Sequence, residues 1–154
     1  IKGCEEILTD DDMQFDTICV PVGTGGTIAG LINSAAVHQK IIGFSALKGT
    51  FIIDEVKSLT AKRENWQINT DYHFGGYGKI NDGLITFINQ FKAQTGIPLD
   101  PIYTGKMVYG IVDLLKKKYI EKENQILVIH TGGLQGIEGV NRKLKQQKRT
   151  LIER

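Results

Sequence analysis

An apolar run, three glycines in four positions and the first turn of a helical pattern follow one another without a break in Val20-Pro21-Val22-Gly23-Thr24-Gly25-Gly26-Thr27-Ile28-Ala29-Gly30. Few folds accommodate that succession. Upstream, Thr17 to Val22 has the length and β-branched content of a buried strand. Downstream, Ile28, Leu31, Ile32, Ala35 and Ala36 recur on one helix face, and the pattern fades near His38. Glycine lets a backbone turn tightly and bring several N–H groups close to a ligand. A helix start adds unpaired N–H donors and about half a unit of positive charge. Strand, glycine corner and helix start together make an anion cradle, most often for phosphate. On this reading a phosphate rests on the amides of residues 24 to 27, helped by the hydroxyls of Thr24 and Thr27. The corner lacks the Lys-Ser/Thr ending of a nucleotide-hydrolysing P-loop. The next apolar run, Ile41 to Leu47, leads into Lys48-Gly49 and not into an acid placed to hold a ribose, so the dinucleotide fingerprint is incomplete as well. A tight turn with no ligand is the plain alternative.

A chain of 154 residues suits one domain with a real core. Its formal net charge of +2 is too small to argue for nucleic acid or a membrane as partner. No apolar run approaches the roughly 20 residues of a spanning helix, and no signal-peptide pattern is present. Cys4 and Cys19 offer neither metal spacing nor a disulfide framework, so a reducing cytoplasm is the default expectation. The sequence opens on Ile1, and its first recognisable unit is the end of a helix feeding a strand, which fits a piece of a longer chain.

In chain order, residues 2 to 13 predict a short helix around Ile7 and Leu8, with Asp10-Asp11-Asp12 on its solvent side. Ile41 to Leu47 reads as a second buried strand. Thr50 can cap a helix carrying Ile52, Val56 and Leu59 on one face. Trp66 and Ile68 lie on one side of a third strand that ends near Asp71. Residues 71 to 81, DYHFGGYGKIN, have no helical period and read as a functional loop. Asp82 can cap a helix with Leu84, Ile85, Ile88 and Phe91 inward, stopped by Gly96 and Pro98. Leu99 to Lys106 predicts an extended linker running into a helix that buries Val108, Ile111, Val112 and Leu115 and closes on Lys116, Lys117 and Lys118. Gln125 to Ile129 predicts a fourth strand, ending in a second glycine corner, His130-Thr131-Gly132-Gly133. Residues 137 to 154 read as a solvated basic helix.

Apolar strands alternating with amphipathic helices predict an α/β fold: a parallel sheet of about four strands with helices on both faces, in three layers. In such sheets ligands bind beyond the carboxyl ends of the strands. Both glycine corners and the 71–81 loop follow strands, so they are expected along one rim.

The GTGGT corner, the FGGYGK loop, the DPIYTGK helix start and the IHTGG corner occur here in one order and spacing. Together they resemble the C-terminal half of pyridoxal-phosphate enzymes of the tryptophan-synthase-β fold type (fold type II). Within that fold they look most like the 1-aminocyclopropane-1-carboxylate deaminase and D-cysteine desulfhydrase family, and the resemblance spans nearly the whole chain. It implies that residues 1–154 are one α/β domain, the C-terminal part of a large cofactor-binding domain. It implies that Gly23, Thr24, Gly25, Gly26 and Thr27 cradle the phosphate of pyridoxal 5'-phosphate. Tyr77 matches the family's loop tyrosine near the substrate, and Tyr103 matches the tyrosine facing substrate and cofactor. Thr131 would contribute hydroxyl contacts at the pyridine end.

Thr104 departs from the deaminase pattern, which has a glutamate supporting the pyridine nitrogen there; a neutral hydroxyl at the ring nitrogen looks more like the desulfhydrase side. The expected activity is therefore β-elimination from a small D-amino acid, giving pyruvate and ammonia, with sulfide from D-cysteine. The family's Schiff-base lysine and substrate-carboxylate contacts lie in the N-terminal half, which has no counterpart in these residues. That missing half is an expected partner, alongside the amino-acid substrate and further copies in a homo-oligomer, and the chain alone is expected to be inactive. Local alternatives stay open: Thr104 as N-cap of a helix from Gly105, Tyr77 and Tyr103 as rim aromatics, and the 131–133 corner as a turn. For the whole chain the rival is a phosphate-binding or assembly module without catalysis.

Overall fold

The computed structural model describes residues 1–61 and 63–154. Four parallel strands form its centre: β1 (Thr17–Val22), β2 (Lys40–Ser45), β3 (Trp66–Asn69) and β4 (Ile126–Val128), in the order β3-β2-β1-β4. Ile18 stands beside Ile41 on one side and Leu127 on the other. With neighbours on both edges and layers on both faces, β1 is buried along its whole length, which is why it reads as a continuous apolar run. The expected three-layer α/β architecture is the one observed.

Side-chain alternation divides the core. Ile18, Val20, Val22 and Ile41 pack with α1 (Gly26–Ser34) and α2 (Phe51–Leu59) through Ile28, Leu31, Ile32, Ile52 and Val56. Cys19, Ile42 and Phe44 face the other way, onto α3 (Asp82–Thr95), α4 (Thr104–Lys116) and α5 (Gly136–Gln146), through Leu84, Ile88, Met107, Ile111 and Ile137. Burial there pushes the Cys19 thiol up to about 12. Among the described residues no helix is long and apolar enough to cross a membrane.

Several element ends differ from expectation, each for a local reason. The first residues form two 3₁₀ turns, Lys2–Glu6 and Asp10–Gln14, in place of one helix. Thr9 N donates to Asp12 Oδ2 at 2.9 Å and starts the second turn afresh. Helix α1 ends at Ser34 and not near His38, because Gln39, almost wholly buried, takes over the backbone. Its Oε1 accepts from Ala36 N at 3.0 Å, while its Nε2 donates to Asp12 O and Phe15 O. Strand β2 stops at Ser45, whose hydroxyl exchanges hydrogen bonds with the backbone N–H and C=O of Leu47.

Helix α3 is capped by Asn81, whose Oδ1 accepts from Leu84 N at 2.8 Å; Asp82 sits one residue inside and pairs with Arg149. The Leu99–Lys106 segment is not extended to its end, since α4 already begins at Thr104. Helix α5 stops at Gln146. Beyond it, Asn141 bonds both backbone groups of Ile152 and folds the last residues back, so that Ile152 is buried in the core.

Candidate functional site

Beyond the carboxyl end of β1, the backbone turns through Gly23 and Thr24 into α1. The first helical hydrogen bond runs from Ala29 N to Gly25 O at 3.0 Å. The N–H groups of Gly26, Thr27 and Ile28 precede it and have no partner within the helix. Gly25 is required twice over: its φ of +87° is left-handed, and an added Cβ would lie 2.9 Å from Val56 Cγ2. A Cβ at Gly23 would approach the Tyr103 ring and hydroxyl at 3.1 Å, whereas one at Gly26 would meet nothing within 4 Å. Gly25 serves the fold, Gly23 admits Tyr103, and Gly26 faces open space.

These residues line a hollow of about 320 Å³ together with Tyr103, Thr131, Gly132, Gly133 and Gln135. Among the described residues lining it none is charged, so its anion chemistry is that of backbone N–H groups, threonine hydroxyls and the positive end of α1. Seven of the nine residues singled out in the sequence as site residues are gathered directly around it: Gly23, Thr24, Gly25, Gly26, Thr27, Tyr103 and Thr131. Tyr77 stands one step back and is more than half exposed; its ring meets Tyr103 edge-on, with centroids 6.1 Å apart. Burial, then Tyr77, then the Asp100 charge raise the pKa of Tyr103, so its phenol keeps its proton at neutral pH.

Thr104 does not reach the hollow. It is completely buried, its hydroxyl donates to Asp100 Oδ1 at 2.6 Å and accepts from Asp100 N at 2.9 Å. Nor does Thr104 act as the N-cap of α4, since it is already helical. Capping falls to Asp100, a residue that the sequence reading passed over. Its Oδ2 accepts from Ile102 N and Tyr103 N, and its Oδ1 from Thr104 N, all at 2.8 Å. An acid followed directly by proline and a helical pattern is a start signal that would have found it. Asp100 also abuts the second corner, since a Cβ at Gly133 would lie 3.2 Å from its Cγ. One buried carboxylate thus sets Tyr103 and the 131–133 corner against each other.

Lys106 is the second residue that spacing alone does not reveal. It is buried, and its Nζ donates to His73 O at 2.8 Å and Gly76 O at 3.0 Å, away from the hollow. Burial lowers its pKa from 10.5 to about 8, against the opposing pull of Asp100. His130 is also committed: Nε2 bonds Pro98 O, and Nδ1 accepts from Gly132 N, shaping the second corner.

No protein-family model matches the chain. A protein of Pyrococcus horikoshii named "Putative 1-aminocyclopropane-1-carboxylate deaminase" is 36% identical over 148 residues, covering 88% of this chain and 45% of that protein. A solved structure titled as an ACC deaminase homologue superposes with a TM-score of 0.77 at 32% identity, covering 94% of this chain and 48% of its own. This chain matches the C-terminal half of the 1-aminocyclopropane-1-carboxylate deaminase and D-cysteine desulfhydrase family. Within that family, the mitochondrial bifunctional D-cysteine desulfhydrase/1-aminocyclopropane-1-carboxylate deaminase of Arabidopsis thaliana is 33% identical over 138 residues, covering 82% of this chain and 34% of that protein. The chain spans less than half the length of these family members.

Proposed function

We propose that this chain is the C-terminal part of the large cofactor-binding domain of a pyridoxal-phosphate-dependent lyase, and that its hollow takes the cofactor's phosphate. The reaction proposed is β-elimination from a small D-amino acid, with water consumed and pyruvate and ammonia released; D-cysteine would also yield sulfide. The observation that carries the reading is the convergence, on one uncharged hollow, of the start of α1 with its three N–H groups unpaired within the helix, Thr24, Thr27, Tyr103 and the 131–133 corner. That donor set suits a dianion on one side and an aromatic ring on the other.

When bound, pyridoxal phosphate supplies the electron sink that lets a proton leave the substrate α-carbon. This chain's contribution is mainly binding and orientation. The N–H groups of Gly26, Thr27 and Ile28 and the hydroxyls of Thr24 and Thr27 hold the phosphate. Thr131 contacts the pyridine end. Tyr103, held protonated, offers its O–H to an acceptor in the hollow, and Tyr77 closes over Tyr103 at the rim. Thr104 supports Tyr103 through Asp100, so its part in any ring contact is indirect. The Lys106 ammonium is engaged with the 73–76 backbone and is not placed to condense with an aldehyde in the hollow. The carbonyl-condensing lysine belongs to the other half of the enzyme, which is this chain's proposed partner, with self-association of the whole.

Gly26→Asp tests the cradle. An acid at the first position of α1 suits the helix dipole and meets no neighbour, so the fold should persist. Its carboxylate should displace the phosphate. Titration should show pyridoxal phosphate binding to the unaltered chain, inorganic phosphate competing, and Gly26→Asp weakening both at least tenfold. Binding that ignores both phosphate and the substitution would overturn the reading. With D-cysteine and excess cofactor, the chain alone should give no pyruvate above free cofactor; turnover by the chain alone would contradict the half-site assignment and favour a complete catalyst.

A further inference from the structure

Lys106 is a costly residue for its position. It is one percent exposed, and taking its ammonium out of water costs free energy that its hydrogen bonds must offset. Its two partners are both in the 71–81 loop, and both already accept a hydrogen bond from that loop. His73 O accepts from Gly76 N at 3.2 Å, and Gly76 O accepts from Lys79 N at 3.1 Å. The ammonium therefore ties together the acceptors of two consecutive turns. Those turns are unusual: Phe74, Gly75, Gly76 and Gly78 all have positive φ, from +56° to +124°. Such a backbone has little rigidity of its own, and for Phe74 the conformation is strained.

Helix α4 and Tyr103 just before it meet the same loop at several points, and the Tyr72 hydroxyl donates to Asp113 Oδ2 at 2.7 Å. Phe74 packs edge-on against Tyr109 with centroids 5.0 Å apart, Lys106 holds the carbonyls, and Tyr77 stands against Tyr103. Tyr77 directly follows the held Gly76. We infer that Lys106 is a positioning residue, whose ammonium fixes the 73–76 backbone so that Tyr77 stands against Tyr103 at the rim of the hollow. That Tyr77 there meets a substrate rests on the function proposed above; the positioning itself does not.

The test uses the chain without ligand. Lys106→Met keeps the apolar stem and removes the donors. Amide hydrogen exchange at Gly75, Gly76 and Lys79, the loop amides that are hydrogen-bonded, should quicken at least tenfold, while β1 and β2 amides keep their protection. In chain labelled with 3-fluorotyrosine, the Tyr77 resonance (assigned with Tyr77→Phe) should move to the position of a solvated tyrosine. Lys106→Arg, which retains donors, should recover part of both effects. Unchanged loop exchange in a folded Lys106→Met chain would overturn the inference, as would a rise shared equally by β1 and β2. Should Lys106→Met fail to fold, the unaltered chain decides. A slowly exchanging Lys106 ammonium with nuclear Overhauser contacts to the loop supports the clamp, and a fast-exchanging one without them refutes it. A phosphate-binding failure with Gly26→Asp leaves these readings untouched, so the two proposals fall separately.

Discussion

At the scale of single residues, the corner separates glycines that the fold needs from the one that a ligand needs. Gly25 sits at a left-handed φ with Val56 2.9 Å from where a Cβ would go. Gly25→Ala should therefore cost about 2 kcal/mol, a fall of roughly 4–8 °C in Tm, from backbone strain and the clash together. Gly26 has neither constraint, and alanine is a better helix former than glycine. Gly26→Ala should leave Tm unchanged or slightly raised. Paired thermal melts of the two variants check this. Equal destabilisation would mean that α1 begins differently from the geometry described here. Tyr103 illustrates the same division, because its identity is tied to a void at Gly23 and not to any helical period.

At the scale of elements, the start of α4 depends on Asp100. Its carboxylate accepts three backbone N–H groups and the Thr104 hydroxyl in a buried setting. Asp100→Ala strands those donors, and unfolding by denaturant should show a loss of about 2–4 kcal/mol, above that of an exposed cap. The first strand was legible to the residue, since β1 is covered on both edges and both faces and its apolar content has no competing explanation. The corner was legible because glycine density has few uses. Helix and strand ends were less so. Gln39, Ser45 and Asn141 end or redirect their segments through side-chain hydrogen bonds to backbone groups, and a polar residue gives no periodic signal of where its bonds go. The rim was legible as a place, but not the division of labour within it. Thr104 and Lys106 belong to one motif with Tyr103, yet only Tyr103 faces the hollow; α4's twist turns the other two toward Asp100 and the loop. Lys106 could not have been assigned from spacing, as its partners lie 30 and 33 positions away.

At the scale of the whole molecule, burying Lys106 couples the loop's anchor to global stability. The ammonium titrates near 8 in the folded chain against 10.5 ordinarily, so the folded form binds fewer protons than the unfolded form between those values. Stability from this group therefore rises with pH across that window and is at its lowest below about pH 8. Other groups pull the other way at higher pH. Cys19 keeps its proton to about 12 against an ordinary 9.0, so above pH 9 the unfolded chain loses a proton that the folded chain holds, and stability falls. Tyr72, raised by burial and by its bond to Asp113, adds to that fall above pH 10. The interval from pH 8 to 9 isolates Lys106. There the unaltered chain should gain about 1 kcal/mol relative to Lys106→Met, measured by urea unfolding at both pH values. Cys19 and Tyr72 are present in both chains and cancel in the difference. A difference that stays flat would mean that Lys106 is solvated, and with it that the loop carrying Tyr77 is not held from beneath.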